Sequence, residues 1–329
     1  MGQLTGPPEC QRQEFDVHTH AVHDPPGTDL VVSTVSLGCN NFGSRIDAQE
    51  SRAVVDAAFE HGITFFDTAD VYTTGESEKI LGAALAGRRE DAVIATKFGA
   101  PMSETERGSA PDYVRQACDA SLRRLGVDHI DLYYQHAPDP SVPIEDTLGA
   151  LDELVRAGKV RHVACSNSSP EQIDRATQAS TEGALPRFVA AQIEWNLLER
   201  GVEAEIVPAC ERGNLAVIPY YPLAAGLLTG KYRRNTEFPK GSRFDKSEYF
   251  AATATEEALA RVEDLLSLAS KLDRQLSELA VAWLDAKPQV ASVLIGSSTP
   301  AQVARNVSHL RRPLDEDELA MIDDFLEGR

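Results

Sequence analysis

Short β-rich runs alternating with amphipathic helical stretches predict an α/β chain, and three observations narrow the class to a (β/α)8 TIM barrel. There are eight such runs, and most are apolar on both faces, as strands buried on each side of a parallel sheet are. No Gly-x-Gly-x-x-Gly follows any of them, which removes the signature of an open, doubly wound sheet. The runs in order are VSLGCNNF (35–42), ITFFDTA (63–69), AVIATKF (92–98), IDLYYQHA (130–137), VRHVACSN (160–167), FVAAQIEWN (188–196), LAVIPYYP (215–222) and SVLIGSS (292–298). Helical periodicity marks AQESRAVVDAAFEHG, ESEKILGAALAG, PDYVRQACDASLRRLG, PIEDTLGALDELVRAGK, PEQIDRATQAS and EAEIVPACERG between them, each closing near a glycine or a turn. The expected organisation is an N-terminal hairpin-like segment over 1–32, one barrel over 33–329 and an extra helix at the C-terminus.

Composition bounds the function. The 42% hydrophobic content is ample for a buried core, and 51 acidic against 32 basic residues give a net charge of −19. That balance argues against nucleic acid or an anionic membrane as a partner, so any anionic ligand must find a local positive site. Cys10, Cys39, Cys118, Cys165 and Cys210 are odd in number and contain no CxxC pair. Neither a disulfide framework nor a zinc site is indicated, and a reducing, cytoplasmic setting is expected. No apolar stretch approaches the ~20 residues of a membrane span, and no secretory signal opens the chain.

Barrel enzymes carry their active residues at the carboxyl ends of the strands. Asn41, Asp67, Lys97, His136, Ser166 with Asn167, Gln192 with Asn196, Tyr220 and Ser297 with Ser298 all fall at or just past the end of a run. Any one of these would ordinarily be a cap or turn residue; the joint pattern directs polar groups from all eight strands into one mouth. Asp67, Tyr72, Lys97 and His136 form a chemically coherent set. A carbonyl accepting hydride needs a proton at about the same moment, and a free phenol of pKa ~10 yields its proton reluctantly near neutrality. A lysine ammonium at ~4 Å, with an effective dielectric of ~20, stabilises the phenolate by about 4 kcal/mol, roughly three pKa units before desolvation is subtracted. Asp67 would keep the lysine charged, and His136 would aim the substrate oxygen at the phenol. His61, His129, His162 and His309 lie away from the mouth and read as structural or solvated. Beyond the eighth strand, Thr299 suits an N-cap and Pro300 a first helical position, so the helix offers free N–H groups and a positive end to a phosphate.

FFDTADVY, ATKFG, DLYYQHAPD, Ser166-Asn167, YYPLAAGLLTGKY and GSSTPAQVARN together resemble the aldo-keto reductases, from about Ser33 to the C-terminus. The wording of the last two is most similar to the branch with potassium-channel β subunits and bacterial general-stress reductases. The resemblance implies hydride transfer from a nicotinamide dinucleotide to small aldehydes and ketones without a metal, with Tyr72 as general acid, Lys97 and Asp67 tuning it, and His136 orienting substrate. It further implies a cofactor site of Asn41, Ser166, Asn167, Gln192, Tyr220, Leu223, Gly226, Lys231, Arg243, Gly296, Ser298, Gln302, Arg305 and Asn306. In this set Ser166, Asn167 and Gln192 would bond the carboxamide, and Tyr220 would stack on the nicotinamide. Lys231 and Arg243 would face the pyrophosphate, while Ser298, Gln302 and Asn306 would hold the adenosine end. Arg305 stands where the family usually has Glu, and would either reach a 2′-phosphate or face solvent. No Asp or Glu lies between Val293 and Leu314, which predicts NADPH over NADH.

Further expectations concern the rest of the chain. Residues 1–32 depart from the family's opening hairpin, yet FDVHTHAV has a strand's alternation and PPGTD a turn's composition. His18 and His20 would share a strand face while His23 lies near the turn, so no metal is assigned. The segments 100–110 and 232–255 are expected to act as lids that set specificity, and Phe42, Phe98, Trp195 and Phe244 to line the pocket. The alternative functions are a cofactor-binding regulatory subunit with little turnover, or a barrel enzyme of other chemistry. The sequence leaves the oligomeric state open.

Overall fold

Strands apolar on both faces and helices apolar at intervals of about 3.6 residues sort the chain into a barrel and its coat. The structure, a computed structural model, describes residues 19–21 and 28–328. It opens with β1 (Thr19–Ala21) and β2 (Val31–Ser33), which pair antiparallel. The side chains of His18, His20 and His23 lie outside the described residues. Next come β3 (Val35–Gly38), α1 (Ala48–Glu60), β4 (Phe65–Asp67), α2 (Glu76–Leu85), β5 (Val93–Phe98) and α3 (Pro111–Leu125). The middle of the chain forms β6 (Ile130–Gln135), α4 (Ile144–Arg156), β7 (Val160–Ser166), α5 (Pro170–Gly183), β8 (Phe188–Glu194), α6 (Ile206–Gly213) and β9 (Ala216–Tyr220). Two short helices, α7 (Arg243–Lys246) and α8 (Glu248–Ala251), precede α9 (Glu256–Lys271) and α10 (Leu276–Asp285). The chain ends with β10 (Val293–Gly296), α11 (Pro300–Ser308) and α12 (Glu316–Glu327).

Eight strands, β10-β3-β4-β5-β6-β7-β8-β9, form one parallel sheet. Its two edges approach each other just ahead of β10, where Val217 N–H donates to the Gln289 carbonyl at 2.8 Å and Ala291 N–H to the Val217 carbonyl at 3.0 Å. This is the nearly closed (β/α)8 barrel expected from eight runs apolar on both faces. Strand alternation divides the core in two. Phe65, Ala95, Leu132, Tyr134, Ala164, Ala190, Ala216 and Ile218 pack as an inner cluster, with Leu30 and Val32 joining them. Phe66, Ile94, Tyr133, Val163 and Val217 face the helices. Small residues on β5, β7, β8 and β9 leave room for Phe65 and Tyr134 in the barrel interior. Among the described residues, no helix is long and apolar enough to cross a membrane.

The coat is keyed to itself as well as to the barrel. On α12 the Glu318 carboxylate takes two bonds from buried Arg274, at 3.0 and 2.7 Å, and Arg274 also donates to the Arg312 and Pro313 carbonyls at 2.6 and 2.9 Å. This docks the last helix beside α10. Helices α2 and α3 meet where Gly82 passes the end of α3, and a Cβ built on Gly82 would stand 2.0 Å from the Leu125 carbonyl oxygen. In an open helix, Gly→Ala gains about 1 kcal/mol. Here the helices would have to part, so Gly82→Ala is expected to lower stability by about 1–3 kcal/mol. Urea denaturation checks the sign, and a stabilised variant would contradict the close approach.

Candidate active site

Lys97 sits one residue from the end of β5 with no exposed surface, under the floor of the barrel mouth. Its ammonium donates to Asp67 Oδ1 and, at 2.8 Å, to the Thr68 carbonyl. The other carboxylate oxygen of Asp67 accepts from Gln192 Nε2 at 2.8 Å, across the barrel from β8. Two aromatic faces meet the ammonium, the Tyr72 ring with its centre at 5.1 Å and the Tyr134 ring at 5.6 Å. Tyr72 meets the His136 ring edge-on, their centres 5.9 Å apart and their planes at 84°. The four residues therefore converge, with Asp67, Tyr72 and His136 on the cleft wall and Lys97 beneath it.

Tyr72 is aimed by an unusual piece of backbone. It opens a 3-10 turn, Tyr72–Gly75, in which Thr73 and Thr74 adopt φ of 50° and 53°. Positive φ is costly for β-branched residues and persists only where the surroundings over-determine it. Here Thr73 Oγ1 donates to the Phe42 carbonyl at 3.2 Å, Ser77 Oγ to the Cys39 carbonyl at 2.8 Å, and Ser77 Oγ shares a 2.8 Å bond with Thr68 Oγ1.

Electrostatics assign the protonation states. Burial drives the Tyr72 pKa upward, and the Lys97 charge pulls against it without cancelling it. The lysine charge alone would lower the phenol's pKa; with burial included the net shift is upward, so Tyr72 keeps its proton through the neutral range. Burial alone would lower the Lys97 pKa, but Asp67 and then Tyr72 outweigh it and the group stays charged. Burial, aided by Lys97, drops His136 to about 3, leaving a neutral imidazole. Its Nδ1 is buried without a partner among the described residues.

A second network runs along the ends of β6 to β9. Asn167, at φ 56°, donates to the His136 carbonyl at 3.0 Å and to Ser166 Oγ at 3.1 Å, and accepts from the Tyr220 hydroxyl at 2.8 Å. Ser166 Oγ donates to the Gln192 carbonyl at 2.9 Å. The cleft of about 640 Å³ then extends over Leu223, Gly226 and Lys231 to Gly296, Ser298, Gln302, Arg305 and Asn306, with Asn41 on one bank and Arg243 on the other. Ala224, Ala225 and Gly226 have φ of 46°, 55° and 114°, which folds the chain after β9 into a tight cradle. Thr299 caps α11, Pro300 is its first residue, and Asn306 Nδ2 donates to Ser297 Oγ at 3.0 Å. Gln302 Oε1 accepts from the Ser298 N–H and hydroxyl at 2.8 and 3.1 Å.

This cleft fits an anionic dinucleotide. Its size is in the range of ligand pockets. Lys231, Arg243 and Arg305 line it with no acid partner among the described residues, in a chain otherwise dominated by acids.

Two sets of expectations need correction. Phe42, Phe98, Trp195 and Phe244 are all buried, and none lines the cleft. Phe98 follows Lys97 on β5, so strand alternation turns it toward the helices, where it packs 4.8 Å from Tyr133. Phe42 belongs to that same helix-facing core. Trp195 packs edge-on against Trp283, its Nε1 donating to Glu203 at 2.9 Å, and Phe244 stacks on Tyr232 at 4.2 Å. The cleft aromatics are instead Tyr72, Tyr220, Tyr221 and Tyr249, whose hydroxyls tolerate a wet mouth. Of the two lids, only 232–255 contributes, through Gly241, Ser242, Arg243 and Tyr249. The 100–110 segment is tied down outside the cleft, where buried Ser109 takes bonds from Gln135 at 2.7 Å and Thr147 at 3.1 Å and donates its N–H to Asp139 at 2.9 Å. Sequence reasoning also missed Arg45, Tyr221 and Glu194 as lining residues. The rule that loops after barrel strands face the mouth is signal enough for Arg45, which lies four residues past Asn41 in the same loop.

Behind Tyr72 lies Asp70, fully buried, with neither carboxylate oxygen bonded to a side chain. Burial, and then the charge of Glu78, push its pKa from 3.8 to about 7. Glu78 is held by Thr96 at 2.7 Å and by Arg124 at 2.5 Å, so neither neighbour is free to serve Asp70. A raised pKa stabilises the fold below pH 3.8, and that contribution is lost as pH rises through about 7. Asp70→Asn should therefore melt higher than the parent above neutrality, with the difference shrinking toward pH 5. Thermal melts across that window check it, and a pH-independent difference would contradict the buried titration.

The Aldo/keto reductase family model matches residues 34–327. The chain is 36% identical over 299 residues to "Probable aldo-keto reductase 1" of Glycine max, a match covering 88% of this chain and 84% of that protein. It is 34% identical over 288 residues to a "Probable voltage-gated potassium channel subunit beta" of Arabidopsis thaliana, covering 84% and 87% respectively. A protein of the same description from Oryza sativa subsp. japonica is 33% identical over 290 residues, covering 85% and 88%.

Proposed function

Because the chain belongs to the aldo/keto reductase family, we propose that it is an NADPH-dependent reductase of small aldehydes and ketones, with Tyr72 as the general acid. The observation that carries this reading is the phenol of Tyr72 set over the buried Lys97–Asp67 pair and beside a neutral histidine.

When bound, the reduced nicotinamide would supply the hydride. Ser166, Asn167 and Gln192 would meet its carboxamide and Tyr220 its ring, and Asn41 and Gly296 would wall that end. Leu223 and Gly226 would allow close approach of the diphosphate, to which Lys231 and Arg243 bring charge. Ser298, Gln302 and Asn306 would hold the adenosine end. On the protein side, Tyr72 gives its proton to the carbonyl oxygen as negative charge grows there. The resulting phenolate faces the Lys97 ammonium, so the charge that moderates the phenol's pKa in the resting site stabilises it during transfer. Asp67 and Thr68 hold that ammonium, and Gln192 holds Asp67. His136, neutral, positions the substrate oxygen without competing as an acid. The cytoplasm is the expected setting.

Removing the hydroxyl isolates the proton donor, because Tyr72→Phe keeps the ring packed on His136. Turnover should fall by 10²–10⁴-fold, the usual value of general acid assistance, with cofactor affinity nearly unchanged. Steady-state NADPH oxidation with a panel of aromatic and aliphatic aldehydes measures the first, and fluorescence titration the second. Full activity in the variant would remove Tyr72 from the role. A parent protein that binds NADPH but turns over no aldehyde would favour the regulatory-subunit reading carried by the names of two relatives.

The preference for NADPH rests on the segment from Val293 to Leu314, which holds no Asp or Glu, and on Arg305 at the cleft wall. An acid there would favour a free ribose hydroxyl, and its absence together with a guanidinium favours a phosphate. Arg305 lies among neutral donors, so the expected advantage is moderate, about 1–3 kcal/mol. Equal affinity for NADH and NADPH in parallel titrations would sink the preference.

A further inference from the structure

His136 would turn the substrate oxygen toward Tyr72, yet its ring is not fixed by a bond at Nδ1, which is buried without a partner among the described residues. The ring meets Tyr72 edge-on, a contact with little hold on direction. Its aim is therefore set by the backbone that carries it. On the cleft side that backbone is tied twice, the His136 N–H donating to the Phe98 carbonyl at 2.8 Å and the His136 carbonyl accepting from Asn167 Nδ2 at 3.0 Å.

Outside the cleft, one residue grips the chain on both sides of His136. Buried Ser109, just ahead of α3, accepts from Gln135 Nε2 at 2.7 Å through its hydroxyl and donates its N–H to Asp139 Oδ2 at 2.9 Å. Gln135 directly precedes His136, and Asp139 lies in the loop that follows it. The other Asp139 oxygen takes the Ser141 N–H and hydroxyl at 3.0 and 2.5 Å, so both carboxylate oxygens are engaged. Burial pulls the Asp139 pKa up, the donors from Ser141 and Ser109 outweigh it, and the net shift is downward. Ser109 is anchored in turn: Thr147 Oγ1 on α4 donates to its carbonyl at 3.1 Å, and the preceding Gly108 N–H donates to the carbonyl of Gly99, beyond Lys97, at 2.9 Å. A Cβ built on Gly108, which stands at φ 82°, would lie 2.4 Å from Asp139 Oδ2, so a side chain there would displace the carboxylate.

We propose that Asp139 is a positioning residue for carbonyl reduction: with Ser109 it latches the loop after β6 to the segment ahead of α3 and so sets the aim of His136. This rests on the reading of His136 as the group that orients substrate. Neither Asp139 nor Ser109 lines the cleft, so the latch reaches the reaction only through the histidine. A carboxylate suits the task because three donors must be met from two directions, whereas an amide offers a single acceptor oxygen.

A double-mutant cycle tests it. Steady-state NADPH oxidation with benzaldehyde and with propionaldehyde is measured on the parent, D139A, D139N, H136Q and the D139A/H136Q pair, beside fluorescence titration of NADPH. D139A is expected to lower kcat/KM for both aldehydes about tenfold or more, because a misplaced orienting group is costly, and to leave NADPH affinity unchanged. D139N keeps one acceptor oxygen and should recover part of the loss. Once His136 is gone, removing Asp139 should cost about twofold at most, since residues that act through one another are not additive. A merely structural role would lower the melting temperature and leave the two losses additive. Parental kcat/KM in D139A, additive losses in the pair, or an equal loss of NADPH affinity overturns the latch. Should D139A fail to fold, the same cycle is run with S109A, which deletes only the hydroxyl that receives Gln135. A parent protein that reduces neither aldehyde overturns the reductase reading itself, a result distinct from failure of the latch in an active enzyme.

Discussion

The buried Lys97–Asp67 pair constrains the barrel as much as it serves the chemistry. An ammonium without exposed surface carries a desolvation penalty of several kcal/mol, which only a close anion and further acceptors offset. Asp67, the Thr68 carbonyl and the faces of Tyr72 and Tyr134 supply them, and Gln192 completes the carboxylate. These partners come from β4, β6 and β8 and from the segment just after β4. Asp67 stands opposite Ala95, and Lys97 opposite Tyr134. A one-residue slip of β5 would carry Lys97 to the helix-facing side and leave Asp67 buried alone. Strand register and ion pair therefore specify each other.

Strain has been collected where the pair needs a precise neighbour. Of the ten non-glycine residues with positive φ among the described residues, Thr73 and Thr74 adjoin Tyr72, and Asn167, Tyr221, Ala224 and Ala225 ring the same mouth. Such conformations cost on the order of 1–3 kcal/mol each, and hydrogen bonds to the core hold them. The Thr73 hydroxyl on the Phe42 carbonyl and the Asn167 amide on the His136 carbonyl are two of those bonds. The regular parts of the barrel, with their two apolar layers, carry the stability that permits this local expense.

The strands were legible because each buried run ends in a polar residue that an apolar core would reject, and the same interruptions marked Asp67, Lys97, His136, Ser166 and Gln192. Their convergence followed from the barrel alone. Contacts depending on the path of a loop were not legible in this way. Tyr221 reaches the cleft because its backbone turns to φ 51° just past β9, and the Thr68 carbonyl that holds Lys97 leaves no mark on the sequence. Phe98 was misassigned for a different reason: period-two alternation excludes adjacent residues from the same face, so with Lys97 inward Phe98 had to point outward. Phe244 and Arg243 divide the lid similarly, the ring turning to the core and the guanidinium to the cleft. The net upward shift of Tyr72 also escaped the sequence, because the lysine's contribution follows from residue type while desolvation depends on depth of burial.

The distribution of charge gives the cleft its selectivity. With a net charge of −19 the protein repels an approaching anion at long range, yet repulsion between exposed charges is screened beyond about 8–10 Å at physiological salt. Inside that distance the field belongs to the nearest groups, and in the cleft these are Lys231, Arg243, Arg305 and Arg45. Elsewhere most cations are spent on acids, as Arg274 is on Glu318 and Glu278, and Arg124 on Glu78. An anion small enough to enter the mouth meets cations that have no acid partner among the described residues, whereas one held outside meets the acidic surface. Local positive charge on a globally negative chain thus selects by access as well as by sign.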